Sequence, residues 1–114
     1  MKKLMVLLAL LSLEATARDE INIVCQMEHG AVWDFSFPTD SPQNVPFGTG
    51  GYANYTVTSN QLIRIARWPD SGITKYITVE RRTGYISQIH ERPDGSLAEI
   101  EGQCEKADNV KNKF

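Results

Sequence analysis

Three glutamates near the end of the chain have the residue type and spacing for acid–base chemistry on a sugar. Glu99 and Glu101 are two residues apart, and Glu91 precedes them across a short turn. A glycosidase holds two carboxyl groups roughly 5–10 Å apart around the scissile bond, and this spacing permits such a pair. The glutamates also alternate with apolar residues, as on the solvated face of a β-strand, and we favour this second interpretation.

Nucleophilic catalysis and metal binding have less support in the sequence. None of the serines lies in the G-x-S-x-G turn that exposes a nucleophile. The cysteines and histidines also lack the C-x2-C and H-x3-H spacings of a zinc site. The sequence therefore predicts no enzyme, no metal and no cofactor. The candidate nucleophiles are Ser71, Ser87 and Ser96, and the candidate bases are His29 and His90.

Arginine is the residue in the middle of the chain that best suits recognition of a partner. Guanidinium groups bind carboxylates through two parallel hydrogen bonds, so a shared patch would suit an acidic surface on another protein. The other interpretation, which we favour, is that they pair with Asp70, Glu80 and Glu91 of the same sheet. The residues concerned are Arg64, Arg67, Arg81, Arg82 and Arg92.

Trp68 stands immediately before the turn "PDSG" at 69–72. Exposed aromatic residues at such positions anchor protein partners. A tryptophan that caps the end of a barrel would serve packing alone. The sequence leaves both interpretations open.

The first seventeen residues, "MKKLMVLLALLSLEATA", have the three parts of a signal peptide. A basic start is followed by an apolar run over 4–13 and an A-x-A motif at 15–17. This run of ten residues, nine of them apolar, is too short for a transmembrane helix, which needs about 20. Because Arg18 follows the motif, there is no cysteine for a lipid anchor. We expect a periplasmic or secreted protein that begins at residue 18.

The remaining chain predicts one domain over 18–105 and a polar tail over 106–114. It contains 10 basic and 13 acidic residues, a formal charge of −3. Nucleic acid is not an expected partner, because binding it would require a basic face. No second apolar segment is long enough to cross a membrane.

Short alternating runs of apolar and polar residues, separated by turn residues, predict an all-β fold. The segment 38–51 contains three prolines and three glycines and is not expected to form a regular element. The seven predicted strands are Glu20–Met27, Ala31–Phe37, Tyr52–Thr58, Gln61–Arg67, Ile73–Glu80, Tyr85–Glu91 and Leu97–Glu105.

Alternation also predicts which side chains face the core. In the second strand, Trp33, Phe35 and Phe37 fall on one face and should all point inward. In the fourth strand, the same reasoning places Ile63 and Ile65 on the inner face.

The cysteines indicate how the strands are arranged. Cys25 and Cys104 lie on the apolar faces of the first and last strands. In an oxidising compartment they should form a disulfide, which requires their Cα atoms to lie roughly 4.4–6.8 Å apart. A meander whose first and last strands meet closes on itself, so we expect a small antiparallel β-barrel with one disulfide.

The stretch "SGITKY" at 71–76 resembles a motif of the small exported bacterial inhibitors of c-type lysozyme. Those proteins are β-barrels with cysteines near both ends and a loop of pattern S-G-x-[RK]-Y. Here the spacing is one residue longer, and the resemblance implies contact roles for Ser71, Gly72, Lys75 and Tyr76. The chain also resembles short exported bacterial proteins without an assigned role.

A second loop of that inhibitor family places a lysine in the enzyme cleft. This chain has no matching lysine, and Arg81 or Arg82 is the nearest equivalent. In an antiparallel meander, however, consecutive turns lie at opposite ends of the sheet. The two turns would then not enter one cleft together.

The sequence thus predicts an exported, non-enzymatic β-protein that binds another macromolecule, for example a lysozyme-like hydrolase that it inhibits. The alternatives are an enzyme that acts on cell-wall sugar through Glu91, Glu99 or Glu101, and a structural or stress-related envelope protein. The predicted binding residues are Trp68, Ser71, Gly72, Lys75, Tyr76, Arg81 and Arg82.

Overall fold

Alternating apolar and polar side chains form the strands, and glycines with positive φ at 30, 72, 84 and 95 occupy the turns between them. A computed structural model describes residues 19–107. The predicted signal peptide and most of the predicted tail lie outside the described residues. The strands are β1 Glu20–Met27, β2 Val32–Pro38, β3 Val45–Pro46, β4 Tyr52–Val57, β5 Gln61–Trp68, β6 Ile73–Glu80, β7 Tyr85–Glu91 and β8 Leu97–Lys106.

All eight strands belong to one antiparallel sheet in the order β2-β1-β8-β7-β6-β5-β4-β3. The predicted all-β fold is confirmed. Strand β1 pairs with both β2 and β8, and Cys25 lies directly opposite Cys104. The disulfide between these residues is present, as predicted. The sheet curls into a half-barrel whose edge strands are β2 and β3.

The segment after β2 is more ordered than its prolines and glycines suggest. Val45–Pro46 pairs with the first two residues of β4, so the chain has one strand more than predicted. A proline is tolerated there because β3 is an edge strand. Earlier in the segment, the Pro42 carbonyl accepts a hydrogen bond from the Tyr55 amide at 2.9 Å. The Ser41 hydroxyl accepts one from the Val57 amide at 2.9 Å. The segment therefore covers the exposed edge of β4.

The aromatic residues of β2 form the part of the core that closes the curl. Trp33, Phe35 and Phe37 all face inward, as predicted, and burial deepens along the strand from half-buried Trp33 to fully buried Phe37. The Phe37 ring packs edge-on against Tyr55 of β4, with 6.2 Å between ring centroids. This contact joins two strands that are not hydrogen-bonded neighbours.

The prediction for the inner face of β5 is wrong. Leu62 and Ala66 are buried, whereas Ile63 and Ile65 are only half-buried. Apolar residues lie on both faces of this strand, so alternation alone does not select one. The pairing register with β6 determines which face of β5 is buried, because it places Leu62 opposite the buried Val79.

The disulfide is consistent with a location outside the cytoplasm, because cytosolic thiols are kept reduced. Within residues 19–107, no helix has the length and apolar character needed to cross a membrane.

Candidate functional site

The predicted binding residues lie at opposite ends of β6. Eight residues of strand at about 3.4 Å each separate the two turns by roughly 27 Å. Trp68, Ser71 and Lys75 belong to the end at 69–72. Arg81 and Arg82 begin the turn at the other end. The structure therefore does not bring the two groups together.

The turn between β5 and β6 is held by one carbonyl oxygen. The Trp68 carbonyl accepts hydrogen bonds from the Ser71 amide at 3.2 Å and the Gly72 amide at 2.9 Å. Gly72 has a φ of 71°, which favours glycine, and a β-carbon at this position would lie 3.2 Å from Pro93 of the next turn at this end. Ser71 and Gly72 are exposed on this anchored backbone. The turn can present them without first becoming ordered.

The Trp68 side chain caps this end of the half-barrel. Its ring lies 5.7 Å from the Phe47 ring, centroid to centroid. Gly51 lies against the indole with no side chain of its own, and a β-carbon there would collide with the ring. The Lys75 ammonium lies 5.6 Å from the centroid of the Trp68 ring, within the range of a cation–π contact. The indole thus packs inward and also positions a cation.

Tyr76 points away from Lys75, because successive side chains of a strand face opposite sides. Its hydroxyl donates a hydrogen bond to Oε1 of Glu91 at 2.9 Å. That bond, with a contribution from desolvation, raises the pKa of Tyr76. The S-G-x-[RK]-Y-like motif therefore places its lysine and its tyrosine on different faces of the sheet.

The arginines at the other end have separate roles. Arg81 donates a hydrogen bond through Nη1 to the Thr58 carbonyl at 2.6 Å and ties its turn to the neighbouring one. Arg82 is exposed and lines an open cleft of about 480 Å³ together with Asn60, Gln61 and Glu80. This cleft is polar and shares no residue with the Trp68 end.

The three glutamates considered for catalysis lie on the outer face of the sheet. The Ser87 hydroxyl donates to Glu99 at 2.8 Å. A hydrogen bond to Glu101 raises the pKa of Tyr85 to about 12. Glu91 accepts the tyrosine hydroxyl described above. Each carboxylate is thus engaged by a hydroxyl group on the outer face of the sheet.

The inner face of the sheet carries basic residues that the sequence did not place there. Lys75 lies opposite His90 on β7 and opposite Ala66 on β5. Arg64 also faces inward, opposite Ile77. Alternation alone could not have found this arrangement, because it depends on the register of three strands.

Arg64 is held among aromatic rings rather than carboxylates. Its Cζ lies 4.4 Å from the centroid of the Phe47 ring and 5.4 Å from that of Phe35. Burial lowers the pKa of Arg64, and the electrostatic interaction and a hydrogen bond with Tyr55 oppose that effect. Its Nε is buried and has no hydrogen-bond partner among the described residues. Arg64 is therefore a partly desolvated cation at the edge of the core.

Residues 19–107 contain no cluster of three or more His, Cys, Asp or Glu side chains that could hold a metal ion. The chain matches no protein-family model, no curated protein and no solved structure.

Proposed function

We propose that this protein is exported to the periplasm or the cell exterior after removal of residues 1–17. There it acts without catalysis, by binding and inhibiting a hydrolase of the c-type lysozyme class. The contact surface is the turn at 69–72 with the adjoining start of β6. The observation that carries the proposal is the anchored turn beside the stacked pair of Trp68 and Lys75.

The chemistry of this end suits an enzyme cleft. A glycosidase of the lysozyme type holds two carboxyl groups in its cleft, and Lys75 offers a positive charge that can pair with them. The exposed Ser71 and Gly72 form a narrow tip with little side-chain bulk. Because the turn is already ordered, little conformational entropy is lost on binding.

The outer glutamates favour binding over catalysis as the activity. A catalytic acid is kept protonated by a desolvated setting. Glu99 lies exposed on the outer face and accepts a hydroxyl hydrogen bond. The Glu99 carboxyl group therefore lies open to solvent and not in a desolvated setting.

The test is inhibition of a c-type lysozyme by the purified protein, with Trp68→Ala and Ser71→Ala as variants. Inhibition at micromolar protein that both variants weaken supports the proposal. Trp33→Ala is the control for loss of a half-buried tryptophan, and Ser59→Ala controls for loss of an exposed turn serine at the other end. The controls should inhibit like the unaltered protein.

Absence of inhibition at micromolar concentration would refute the lysozyme proposal. Inhibition that neither variant changes would refute the assignment of the contact surface. A parallel capture from periplasmic extract identifies the partner class: a co-purifying hydrolase supports inhibition, whereas retention of cell-wall sugar by the protein supports the enzymatic alternative.

A further inference from the structure

On strands β5 to β8, the charged residues that face inward are basic, and all the acidic residues face outward. The inward positions carry Arg64 on β5, Lys75 on β6 and His90 on β7, and none of these strands places an Asp or Glu inward. The outward positions carry the acidic residues Glu80, Glu91, Glu99, Glu101 and Glu105. The concave face is therefore basic and the convex face acidic.

The inward basic residues form a compact group, which we call the basic trough: Arg64, Lys75, Gln88 and His90. Lys75 and His90 are directly opposite each other, with Cβ atoms about 4.5–5.5 Å apart. Arg64 is the diagonal neighbour of Lys75, at about 7–8 Å. All four residues are half-buried rather than enclosed by the core.

The trough is open because the β1–β2 hairpin is short at this end. Strand β1 pairs with β8 from Gly102 onward, and the Glu28 amide donates a hydrogen bond to the Glu101 carbonyl. Within residues 19–107, the start of β8 at 97–100 has no paired strand on that side. Ala98 and Ile100 therefore continue the concave face as half-buried apolar residues. Trp68 bounds the trough at the turn end.

We infer that the basic trough binds an extended acidic segment of a partner protein, with carboxylates on alternate residues. Side chains two residues apart in an extended chain lie about 6.6–6.8 Å apart on one face. That spacing matches the diagonal between Arg64 and Lys75, so each cation receives one carboxylate. On β8, Ala98 and Ile100 extend the same face beyond His90 as an apolar surface.

The charge of the whole molecule selects this ligand over a polyanion. The chain has a formal net charge of −2, and the acidic outer face repels a long strand of phosphates. Two carboxylates within an otherwise apolar segment match two half-buried cations beside aromatic rings. The inference deepens the proposed function by naming the chemistry of the partner, with Lys75 common to both.

The test uses a synthetic peptide, acetyl-Leu-Glu-Leu-Glu-Leu-amide, titrated calorimetrically into the purified protein at low salt. The same peptide with glutamine in place of glutamate should show no binding. Arg64→Gln should weaken binding about tenfold, as expected for loss of a charge-assisted hydrogen bond. Arg67→Gln is the matched control, because Arg67 lies on the same strand but faces outward. It should leave the affinity unchanged.

Two further variants keep the test informative if Arg64→Gln does not fold. Arg64→Lys retains the cation and should retain binding. His90→Glu places a carboxylate opposite Lys75 and should abolish binding by satisfying that cation internally. Equal affinity for the glutamine peptide, or equal loss in Arg64→Gln and Arg67→Gln, would overturn the inference.

Other ligands of the basic trough would give different results in these experiments. Tighter binding of inorganic tripolyphosphate than of the peptide would assign the trough to phosphate and overturn the inference. Concentration-dependent association of the protein alone, abolished by His90→Glu, would assign it to the acidic face of a second copy. Peptide binding without lysozyme inhibition would refute the proposed function alone. Lysozyme inhibition that is lost in Ser71→Ala but unchanged in Arg64→Gln would refute the binding role of the basic trough and leave the proposed function intact.

Discussion

Replacement of Phe37 by alanine should lower the free energy of unfolding by about 3–5 kcal/mol. The side chain is fully buried, so its removal loses the whole transfer term and leaves a cavity. The edge-on contact with Tyr55 contributes about 0.5–1.5 kcal/mol of that total. Because this contact connects β2 to β4 across the opening of the half-barrel, the surrounding strands cannot collapse into the cavity without opening the curl.

Urea unfolding with the disulfide intact, followed by tryptophan fluorescence, measures this loss. With a slope of about 2 kcal/mol per molar urea, the midpoint should fall by about 2 M. The control is Ser36→Ala on the opposite face of the same strand. Ser36 is exposed, and its hydroxyl donates a hydrogen bond to Asn22 at 2.6 Å. Its removal should cost about 1 kcal/mol or less. Equal effects at the two positions would refute the reasoning about the curl.

Three further predictions follow from individual contacts. Reduction of the Cys25–Cys104 bond, which closes a loop of 79 residues, should cost about 4–5 kcal/mol of stability in a thermal melt; two reactive thiols in the untreated protein would contradict it. Gly51→Ala should displace the Trp68 indole and shift its fluorescence to the red, and an unchanged spectrum would show that the ring does not pack there. In an ultraviolet titration, Tyr85 should ionise last, near its pKa of about 12. Since that pKa is raised from 10.0, the stability from its hydrogen bond is complete below pH 10 and is lost as the pH rises towards 12. Ionisation of every tyrosine near pH 10 would contradict this.

The sequence was sufficient for those parts of the fold where one face of a strand is clearly apolar. Trp33, Phe35 and Phe37 alternate with polar residues, and all three face inward. The predicted export and the even number of cysteines predicted the disulfide, and the disulfide predicted that the first and last strands meet. The separation of the two turns also followed from antiparallel connectivity.

Register explains what the sequence did not predict. Strand β5 has apolar residues on both faces, and only its pairing with β6 places Leu62 inward instead of Ile63. The same pairing brings Arg64 and Lys75 to one face, although they are eleven residues apart in the chain. The short strand Val45–Pro46 was hidden among turn residues, because its pairing partner on β4 supplies the order that its own composition does not.

The most direct test of the account is a ¹H–¹⁵N correlation spectrum of the labelled protein during titration with a c-type lysozyme. Amide signals should change at the turn 69–72, at Lys75 and at His90, and those of Arg81 and Arg82 should stay unchanged. Changes confined to the turn at 81–84 or to the outer glutamates, or no change at micromolar lysozyme, would contradict it.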